Sequence, residues 1–350
     1  MSASLDLAER PDTSERRNPR PPLAPLWCPL LTPYGSDGAI DLQRLRRHVE
    51  YLTPSVGGFL VPGSTGDGWV MSDAQALQLL DAVLDLAQAR GAAVLVGVLR
   101  PDVAAMQATM ACMLDRLRRR AGTDDAQTAM RRASVQGFTF CAPHGADLSQ
   151  DAIAGAFDSL LGCGLPVSLY QLPQVTGNEV APATVRALAT RHANLRMVKD
   201  TSGADRIADA GLDDVFLLRG AEGAYSRHLK IAGGRYDGFL LSSANGFGPQ
   251  LAQMIDLLRQ GRRAQADAMS ARIEAVVEAV FAAAAGIAFG NVFTHANKAI
   301  DHHMAFGPLA RDVAAPRLHG GQTLPDELIA VAGDALARHG LMPARGYLYS

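Results

Sequence analysis

The sequence predicts a closed parallel (β/α)₈ barrel, a TIM barrel, followed by a helical C-terminal appendage. Between residues 26 and 260, eight short runs of apolar and β-branched residues alternate with amphipathic segments. These runs are apolar on both faces, which is typical of strands in a parallel sheet that helices cover on both sides. A doubly wound open sheet is the alternative. It is disfavoured because no strand candidate precedes G-x-G-x-x-G or G-x-x-x-x-G-K-[ST], the phosphate-binding loops of such sheets.

Each strand candidate is short and is bounded by turn-forming residues. The eight candidates are LWCPLLT (26–32), GGFLVPG (57–63), AAVLVGVL (92–99), VQGFTFCA (135–142), PVSLYQL (166–172), LRMVK (195–199), VFLLRG (215–220) and DGFLLSS (237–243). Helix-start signals separate them: Ser72 opens 72–90, Ser149 opens 149–162, and Pro182 lies in the first turn of 181–192.

One connection is longer than usual. Residues 102–134 contain a helix and then RRRAGTDDAQTAMRRAS. Connections in compact domains rarely reach this length, so we expect an exposed insertion before the fourth strand.

The chain divides into three parts on this pattern. Residues 1–22 are rich in Arg, Pro and acidic residues and lack an apolar h-region, so they predict a disordered tail and neither a signal peptide nor an evident transit peptide. Residues 23–260 form the barrel. After residue 260 the strands stop, and the helical patterns at 261–285, 288–304 and 325–339 predict an appendage over 261–350 that packs on the barrel.

Composition argues against several classes of function. The net charge is −2 and the charges are interspersed, so nothing indicates a nucleic-acid or membrane-surface partner. No apolar stretch reaches the roughly 18 residues of a membrane span. The four cysteines lie far apart without C-x-x-C or nearby histidines, so neither a metal site nor a disulfide framework is predicted. We therefore expect a cytoplasmic protein with free thiols.

Lys199 stands out in this composition. Only three of the 33 cationic residues are lysines: Lys199, Lys230 and Lys298. Lys199 ends an apolar strand candidate, where an ammonium is costly to bury. Unlike Arg, a desolvated Lys loses its proton readily, which favours a chemical role. The alternative is that it is simply one of the few lysines left in an Arg-rich chain.

Three polar elements should converge at one end of the barrel, because reactive groups lie at the carboxyl ends of barrel strands. Lys199 ends the sixth strand candidate, Tyr170 lies near the end of the fifth, and GSTGDG (63–68) follows the second. A neutral lysine there would attack a ketone to give a protonated imine, an electron sink that allows a nearby C–C bond to break. Tyr170, polarised by Ser64, would move the protons.

The GSTGDG loop predicts a binding site for the substrate carboxylate. Gly63 and Gly66 permit a tight turn, and the backbone N–H groups of that turn, with the hydroxyls of Ser64 and Thr65, would hold the anion.

Three stretches of the sequence together resemble motifs of the dihydrodipicolinate synthase / N-acetylneuraminate lyase family of class I aldolase barrels. GSTGD resembles G-T-T-G-E, YQLPQVTG resembles Y-N-x-P-x-x-T-G, and VKDTSG resembles I-K-[DE]-[AST]-[ST]-G. The match is in order from about residue 26 to 260. The resemblance implies that Lys199 is the Schiff-base lysine, Tyr170 the catalytic tyrosine, and Ser64 and Thr65 the hydroxyl pair.

The sequence also departs from that family. Dihydrodipicolinate synthases carry P-Y-Y after the fourth strand, where this chain has His144 and Gly145, and an arginine where this chain has Val175. Dihydrodipicolinate synthase itself is therefore not expected. Neuraminate lyases hold the polyol tail of their substrate with residues after strands seven and eight. In this chain Glu222 in GAEGAY and Ser242 in LLSSANG lie near those positions, so we expect them to bind a hydroxylated tail of the substrate.

The resemblance implies a Schiff-base-forming lyase that cleaves or condenses a 2-oxo acid, such as pyruvate, with an aldehyde. A dehydratase or hydratase-aldolase of a 2-oxo sugar acid would use the same imine, and a non-catalytic barrel that binds keto acids is the other alternative. The imine mechanism needs no metal and no cofactor. The implied partners are the two small molecules and further copies of the chain, as a homotetramer or homodimer.

Overall fold

The structure, a computed structural model, describes residues 23–349, so the predicted tail at 1–22 lies outside the described residues. Eight parallel strands close into one barrel in chain order, which confirms the predicted (β/α)₈ fold. Each of the eight strand candidates holds one strand. The strands are β1 (Leu26–Pro29), β2 (Gly58–Val61), β3 (Ala93–Val98), β4 (Val135–Cys141), β5 (Val167–Gln171), β6 (Leu195–Asp200), β7 (Phe216–Arg219) and β8 (Gly238–Leu240).

Helices follow most strands. They are α1 (Leu42–Leu52), α2 (Asp73–Arg90), α3 (Val103–Ala121), α4 (Ala126–Arg132), α5 (Gln150–Leu161), α6 (Pro173–Thr176), α7 (Pro182–Arg191), α8 (Ala244–Arg259), α9 (Arg263–Ala284), α10 (Val292–Phe306) and α11 (Asp326–Arg338). The alternation is less regular than the sequence suggests. The connections after β6 and β7 contain only short 3₁₀ turns, such as Arg206–Asp209 and Tyr225–Arg227.

The predicted helix starts are confirmed. Ser72 caps α2 in a capping box with Gln75, and Ser149 accepts the backbone N–H of Ala152 at the start of α5. Pro182 lies at the first position of α7, where its missing N–H costs no hydrogen bond.

The expectation of an exposed insertion before β4 is wrong in part. Helix α3 continues through the arginine run to Ala121, and the segment after it forms the short helix α4. Ala129 and Met130 of α4 are buried, since their side chains pack into the outer core. The segment is thus an additional element of the barrel wall, and its solvent-facing polar residues hide that role in the sequence.

The helices after β8 form a second layer. Helices α9, α10 and α11 pack against one another, and α10 also contacts α8. Among residues 23–349, no helix is both long enough and apolar enough to cross a membrane.

Apolar side chains fill the inside of the barrel. Trp27 is fully buried, and its Nε1 donates to Ala24 O at 2.7 Å. Gly58 on β2 leaves room for the indole, because a Cβ there would lie 2.2 Å from the Trp27 ring. Leu60, Leu95, Met197, Leu218 and Leu240 join Trp27 in one buried cluster. This cluster gives the barrel an apolar floor below the carboxyl ends of the strands.

Candidate active site

Lys199 lies inside the barrel. It shares one face of β6 with Met197, because successive strand residues point to opposite sides. Its side chain is almost completely buried. In the parallel ladder it pairs with Tyr170 of β5, and its Nζ lies 4.0 Å from the centroid of the Tyr170 ring. The structure therefore brings the two predicted catalytic side chains into contact.

Gly220, just after β7, makes room for the lysine side chain. A Cβ at this position would lie 2.5 Å from both Lys199 Cε and Thr201 Oγ1. Any larger residue would displace the amine. The sequence gives no sign of this role, because Gly220 is one of 34 glycines and belongs to none of the three motifs.

Burial lowers the pKa of Lys199 from 10.5 to about 7, because desolvation disfavours the ammonium. Interactions with Cys141, Glu222 and Cys28 oppose the shift. A substantial fraction of the lysine is consequently a neutral amine at neutral pH. This is the form that attacks a carbonyl.

Tyr170 is held as a protonated phenol. Burial raises its pKa well above the ordinary value, so its hydroxyl carries its proton throughout the neutral range. Its neighbour across the ladder is Cys141 of β4, whose pKa burial also raises, so that the thiol is neutral. The sequence gives Cys141 no role beyond that of a free thiol. In the structure it lines the same interior surface as Tyr170.

The loop at 63–68 follows β2, as predicted, and holds Ser64 and Thr65 in buried positions. Gly66 is required because a Cβ there would lie 2.2 Å from Leu30 O. Its N–H donates to Gly63 O at 3.1 Å within the turn. Gly66 therefore permits close packing against Leu30, and its N–H is engaged within the turn.

The C-terminal helices support this loop from outside the barrel. Asn291 caps α10 and directs its Nδ2 to Ser64, at 3.3 Å from the carbonyl oxygen and 3.4 Å from Oγ. Thr294 Oγ1 donates to Thr65 O at 3.0 Å. Sequence reasoning missed both contacts, since more than 220 residues separate the partners and no motif links them.

Glu222 and Ser242 lie together, but not as open binding groups. Ser242 Oγ donates to Glu222 Oε1 at 2.6 Å, and Ser243 donates its N–H to Oε1 and its hydroxyl to Oε2. Tyr225 Oη donates to Oε2 at 2.9 Å. A carboxylate has about four acceptor sites, so Glu222 has none left for a substrate hydroxyl. Glu222 also favours the ammonium form of Lys199. The expected role of Glu222 and Ser242 in binding a hydroxylated tail stays a prediction.

Two apolar side chains lie near the carboxyl end of the barrel. The short helix α6 presents Val175, which packs with Trp69 against the cluster inside the barrel. The Trp69 ring lies 4.9 Å from the ring of His144, a solvent-exposed residue of the loop after β4. A second carboxylate would find no cation among these three side chains unless His144 were protonated.

The other two lysines have different surroundings. Lys230 is exposed and pairs with Asp237 at 2.7 Å. Lys298 of α10 is buried, and burial lowers its pKa to about 8, but its Nζ donates to Arg317 O and lies 3.6 Å from Asp67 Oδ2. A lowered pKa alone therefore does not distinguish Lys199. A neighbouring tyrosine does not distinguish it either, since Lys298 Nζ lies 4.4 Å from the centroid of the Tyr34 ring. The position of Lys199 at the carboxyl end of a barrel strand does.

Residues 23–349 contain no group of three or more His, Cys, Asp or Glu side chains placed to hold a metal ion. The four cysteines are free thiols.

The model of the Dihydrodipicolinate synthetase family matches residues 23–106 and 121–295, which is more than half of the chain. The chain belongs to this family. The resemblance read from the three motifs is thereby confirmed, and so is the predicted class of enzyme, a Schiff-base-forming lyase. The residues between the two matched stretches belong to α3, so the unusually long connection before β4 is where this member of the dihydrodipicolinate synthetase family departs from the family model.

Relatives carry two of the activities considered above. A 4-hydroxy-tetrahydrodipicolinate synthase of Xanthomonas axonopodis pv. citri is 31% identical over 248 residues, 70% of this chain and 76% of the relative. An N-acetylneuraminate lyase of Citrobacter koseri is 27% identical over 62% of this chain and 73% of the relative.

Solved structures share the fold of this family member. The KD(P)GA structure from T. tenax superposes with a TM-score of 0.70 at 21% identity and covers 91% of this chain and 99% of that one. A prophage protein of the dihydrodipicolinic acid synthase family from E. coli K12, in complex with pyruvate, superposes with a TM-score of 0.71 at 18% identity, covering 91% of this chain and all of the other.

The pKa of Lys199 can be measured directly, because three lysines give a simple ¹³Cε-lysine NMR spectrum. We expect the Lys199 signal to titrate near pH 7 and the Lys298 signal near pH 8. Glu222→Gln should lower the pKa of Lys199 further, because it removes a charge that favours the ammonium, and should leave Lys298 unchanged.

The exposed Glu327→Gln serves as the matched control and should shift neither signal. A Lys199 signal that titrates near the usual 10.5 would contradict this account of the site.

Proposed function

We propose that the chain is a lyase of the class I aldolase type, which cleaves or forms a C–C bond between a pyruvate unit and an aldehyde through an imine on Lys199. One observation carries the proposal: a buried lysine with a pKa of about 7 lies 4.0 Å from the ring of a protonated tyrosine at the carboxyl end of the barrel. A protein that only binds keto acids would need neither the neutral amine nor the phenol beside it.

The first step forms the imine. The neutral amine of Lys199 attacks C2 of the 2-oxo acid, and the phenol of Tyr170 supplies the proton with which the carbonyl oxygen leaves as water. The product is a protonated imine. The hydroxyls of Ser64 and Thr65, on a loop held by α10, bind the carboxylate next to it.

The second step breaks the C3–C4 bond. The Tyr170 phenolate takes the proton of the C4 hydroxyl, the aldehyde leaves, and the electron pair of the bond moves into the imine to give an enamine. Protonation at C3 and hydrolysis then release pyruvate and regenerate the amine. In the opposite direction the same groups condense the two molecules.

The mouth favours an aldehyde with an apolar or aromatic body. Val175 and Trp69 offer apolar contacts, and the acceptor sites of Glu222 are occupied by Ser242, Ser243 and Tyr225. A tail with a second carboxylate or with many hydroxyls would lose its hydration without gaining partners. This distinguishes the proposed reaction from dihydrodipicolinate synthesis and from dehydration of a sugar acid.

The proposal includes a cytoplasmic homo-oligomer, as the family resemblance implies. Val70, 61% exposed and adjacent in the chain to Trp69, offers an apolar contact for a second copy near the mouth. No cofactor enters the mechanism, since the imine supplies the electron sink.

Pyruvate and borohydride should label Lys199 irreversibly, because reduction traps the imine. Mass spectrometry of the digested protein should place the adduct on the peptide with Lys199 and not on the peptide with Lys298. Lys199→Ala should abolish the label, while Lys230→Ala, which removes an exposed lysine, should retain it. An adduct on Lys298 alone, or none, would falsify the assignment.

Tyr170→Phe should still form the imine, but slowly, and turnover should fall by about 10²- to 10⁴-fold because the proton donor is lost. Single-turnover trapping measures the first effect and pyruvate release from a 4-hydroxy-2-oxo acid measures the second. Tyr51→Phe is the control, since that hydroxyl bonds Gly246 O and lies outside the proposed mechanism. Unchanged turnover in Tyr170→Phe would remove the phenol from the mechanism.

Matched 4-hydroxy-2-oxo acids that end in a phenyl, hydroxymethyl or carboxylate group should differ in kcat/KM, with the phenyl compound highest. Val175→Arg should favour the carboxylate compound by about tenfold relative to the phenyl compound, because it adds a cation to the mouth. Val331→Arg, at an exposed valine of α11, should not. If the carboxylate or hydroxymethyl compound is preferred by the unaltered enzyme, the apolar-tail proposal fails, whereas the imine proposal stands.

A further inference from the structure

One face of α10 lies along the loop at 63–68. Asn291, Thr294 and Lys298 are three and four residues apart, a spacing that places side chains on the same side of a helix. Each of them contacts a different residue of the loop: Asn291 Nδ2 lies 3.3 Å from Ser64 O, Thr294 Oγ1 donates to Thr65 O at 3.0 Å, and Lys298 Nζ lies 3.6 Å from Asp67 Oδ2. The loop is therefore held by a helix outside the barrel strands.

The hydrogen bonds of Asn291 assign the orientation of its amide. Its Oδ1 accepts the backbone N–H of Phe293 at 2.8 Å, which is the bond by which Asn291 caps α10. The reverse orientation would set the amide NH₂ group against that N–H and the amide oxygen against Ser64 O, two contacts between like groups. The NH₂ group consequently lies on the side of Ser64.

This orientation decides which hydrogen bonds the Ser64 hydroxyl can make. A hydroxyl has one O–H donor and two acceptor lone pairs. The NH₂ group of Asn291, 3.4 Å from Ser64 Oγ, can only donate, so Oγ accepts on that side and its O–H points elsewhere. The side chain of Ser64 is buried. Asn291 thus sets a buried hydroxyl as a donor.

We propose that Asn291 is a positioning residue for substrate binding, because it sets the Ser64 hydroxyl to donate to the carboxylate of the 2-oxo acid. This inference rests on the proposed function, in which Ser64 binds that carboxylate beside the imine. A hydroxyl that donates to an anion becomes a better acceptor itself, so the 3.4 Å contact with Asn291 should shorten when the substrate binds. Asn291 acts through Ser64 and does not itself touch the substrate.

The alternative is that Asn291 matters only as the cap of α10. The two roles use different atoms, since Oδ1 caps the helix and Nδ2 faces Ser64. Serine caps helices as well as asparagine does, but it has no NH₂ group and its side chain is shorter. Asn291→Ser therefore keeps the cap and removes the donor to Ser64.

Reductive trapping tests the inference on the full-length chain. The protein is incubated with increasing pyruvate and borohydride, and mass spectrometry gives the pyruvate concentration at which labelling of Lys199 is half-maximal. Asn291→Ser should raise this concentration about tenfold, because a hydrogen bond that supports a charged acceptor is lost, and should leave the melting temperature unchanged. Asp125→Ser, the equivalent exchange at the N-cap of α4, should change neither quantity.

A double-mutant cycle shows whether Asn291 acts through the Ser64 hydroxyl. Ser64→Ala should itself raise the half-maximal concentration. Adding Asn291→Ser to it should change the value by less than about twofold, since the hydroxyl to be oriented is already gone. A merely structural role of Asn291 would instead give the full effect in both backgrounds.

A second variant keeps the test informative if Asn291→Ser lowers the melting temperature. Asn291→Asp has the shape of the native side chain and also caps a helix, but it offers Ser64 only acceptors. It should turn the Ser64 O–H toward itself and raise the half-maximal pyruvate concentration at least as much as Asn291→Ser.

The inference is overturned if both Asn291 variants leave the pyruvate dependence unchanged, if their effect is equally large in Ser64→Ala, or if Ser64→Ala has no effect of its own. In each of these cases Lys199 is still labelled in the unaltered enzyme, so the proposed imine chemistry stands. Absence of the label in the unaltered enzyme is instead the failure of the proposed function, and the role of Asn291 falls with it.

Discussion

The desolvation of Lys199 is the constraint on which the rest of the site depends. An ammonium inside an apolar barrel loses its hydration, and the resulting fall of its pKa to about 7 makes the amine reactive. Trp27, Leu60 and Met197 form an apolar floor below Lys199, and Gly220 leaves the space that the side chain needs. Glu222 limits the shift, because its negative charge favours the ammonium. The pKa is thus a balance between burial and nearby acidic groups, among them the carboxylate of Glu222, which follows the neighbouring strand β7.

The same balance explains why only one of two buried lysines is assigned chemistry. Lys298 also has a lowered pKa, and its Nζ lies 4.4 Å from the centroid of the Tyr34 ring, but it belongs to α10 outside the barrel strands and faces a backbone carbonyl and Asp67. Lys199 has Tyr170 at van der Waals distance and lies at the carboxyl end of its strand. The reactivity proposed for Lys199 therefore depends on its position at the carboxyl end of the barrel and on the neighbouring Tyr170, and its lowered pKa is one condition among several.

The sequence alone was sufficient to predict the barrel architecture, because the strands are short, apolar and separated by strong turn signals. It also located Lys199, Tyr170 and the loop at 63–68, since all parallel strands deliver their carboxyl ends to one side. It was insufficient for interactions between distant segments. Nothing near Glu222 in the chain reveals that Ser242 and Ser243 occupy its oxygens, and nothing near Ser64 points to Asn291. The buried face of α4 was also missed, because a seven-residue helix has too few apolar positions to show a period.

The contacts of Asn291 and Thr294 with the loop at 63–68 impose an order on how the enzyme is made. The ribosome delivers all eight strands before it delivers α10. A nascent barrel can therefore place Lys199 against Tyr170 while the loop at 63–68 still lacks the contacts from Asn291 and Thr294. The loop gains this support only after α10 has been synthesised, so the two halves of the candidate site become ordered at different times.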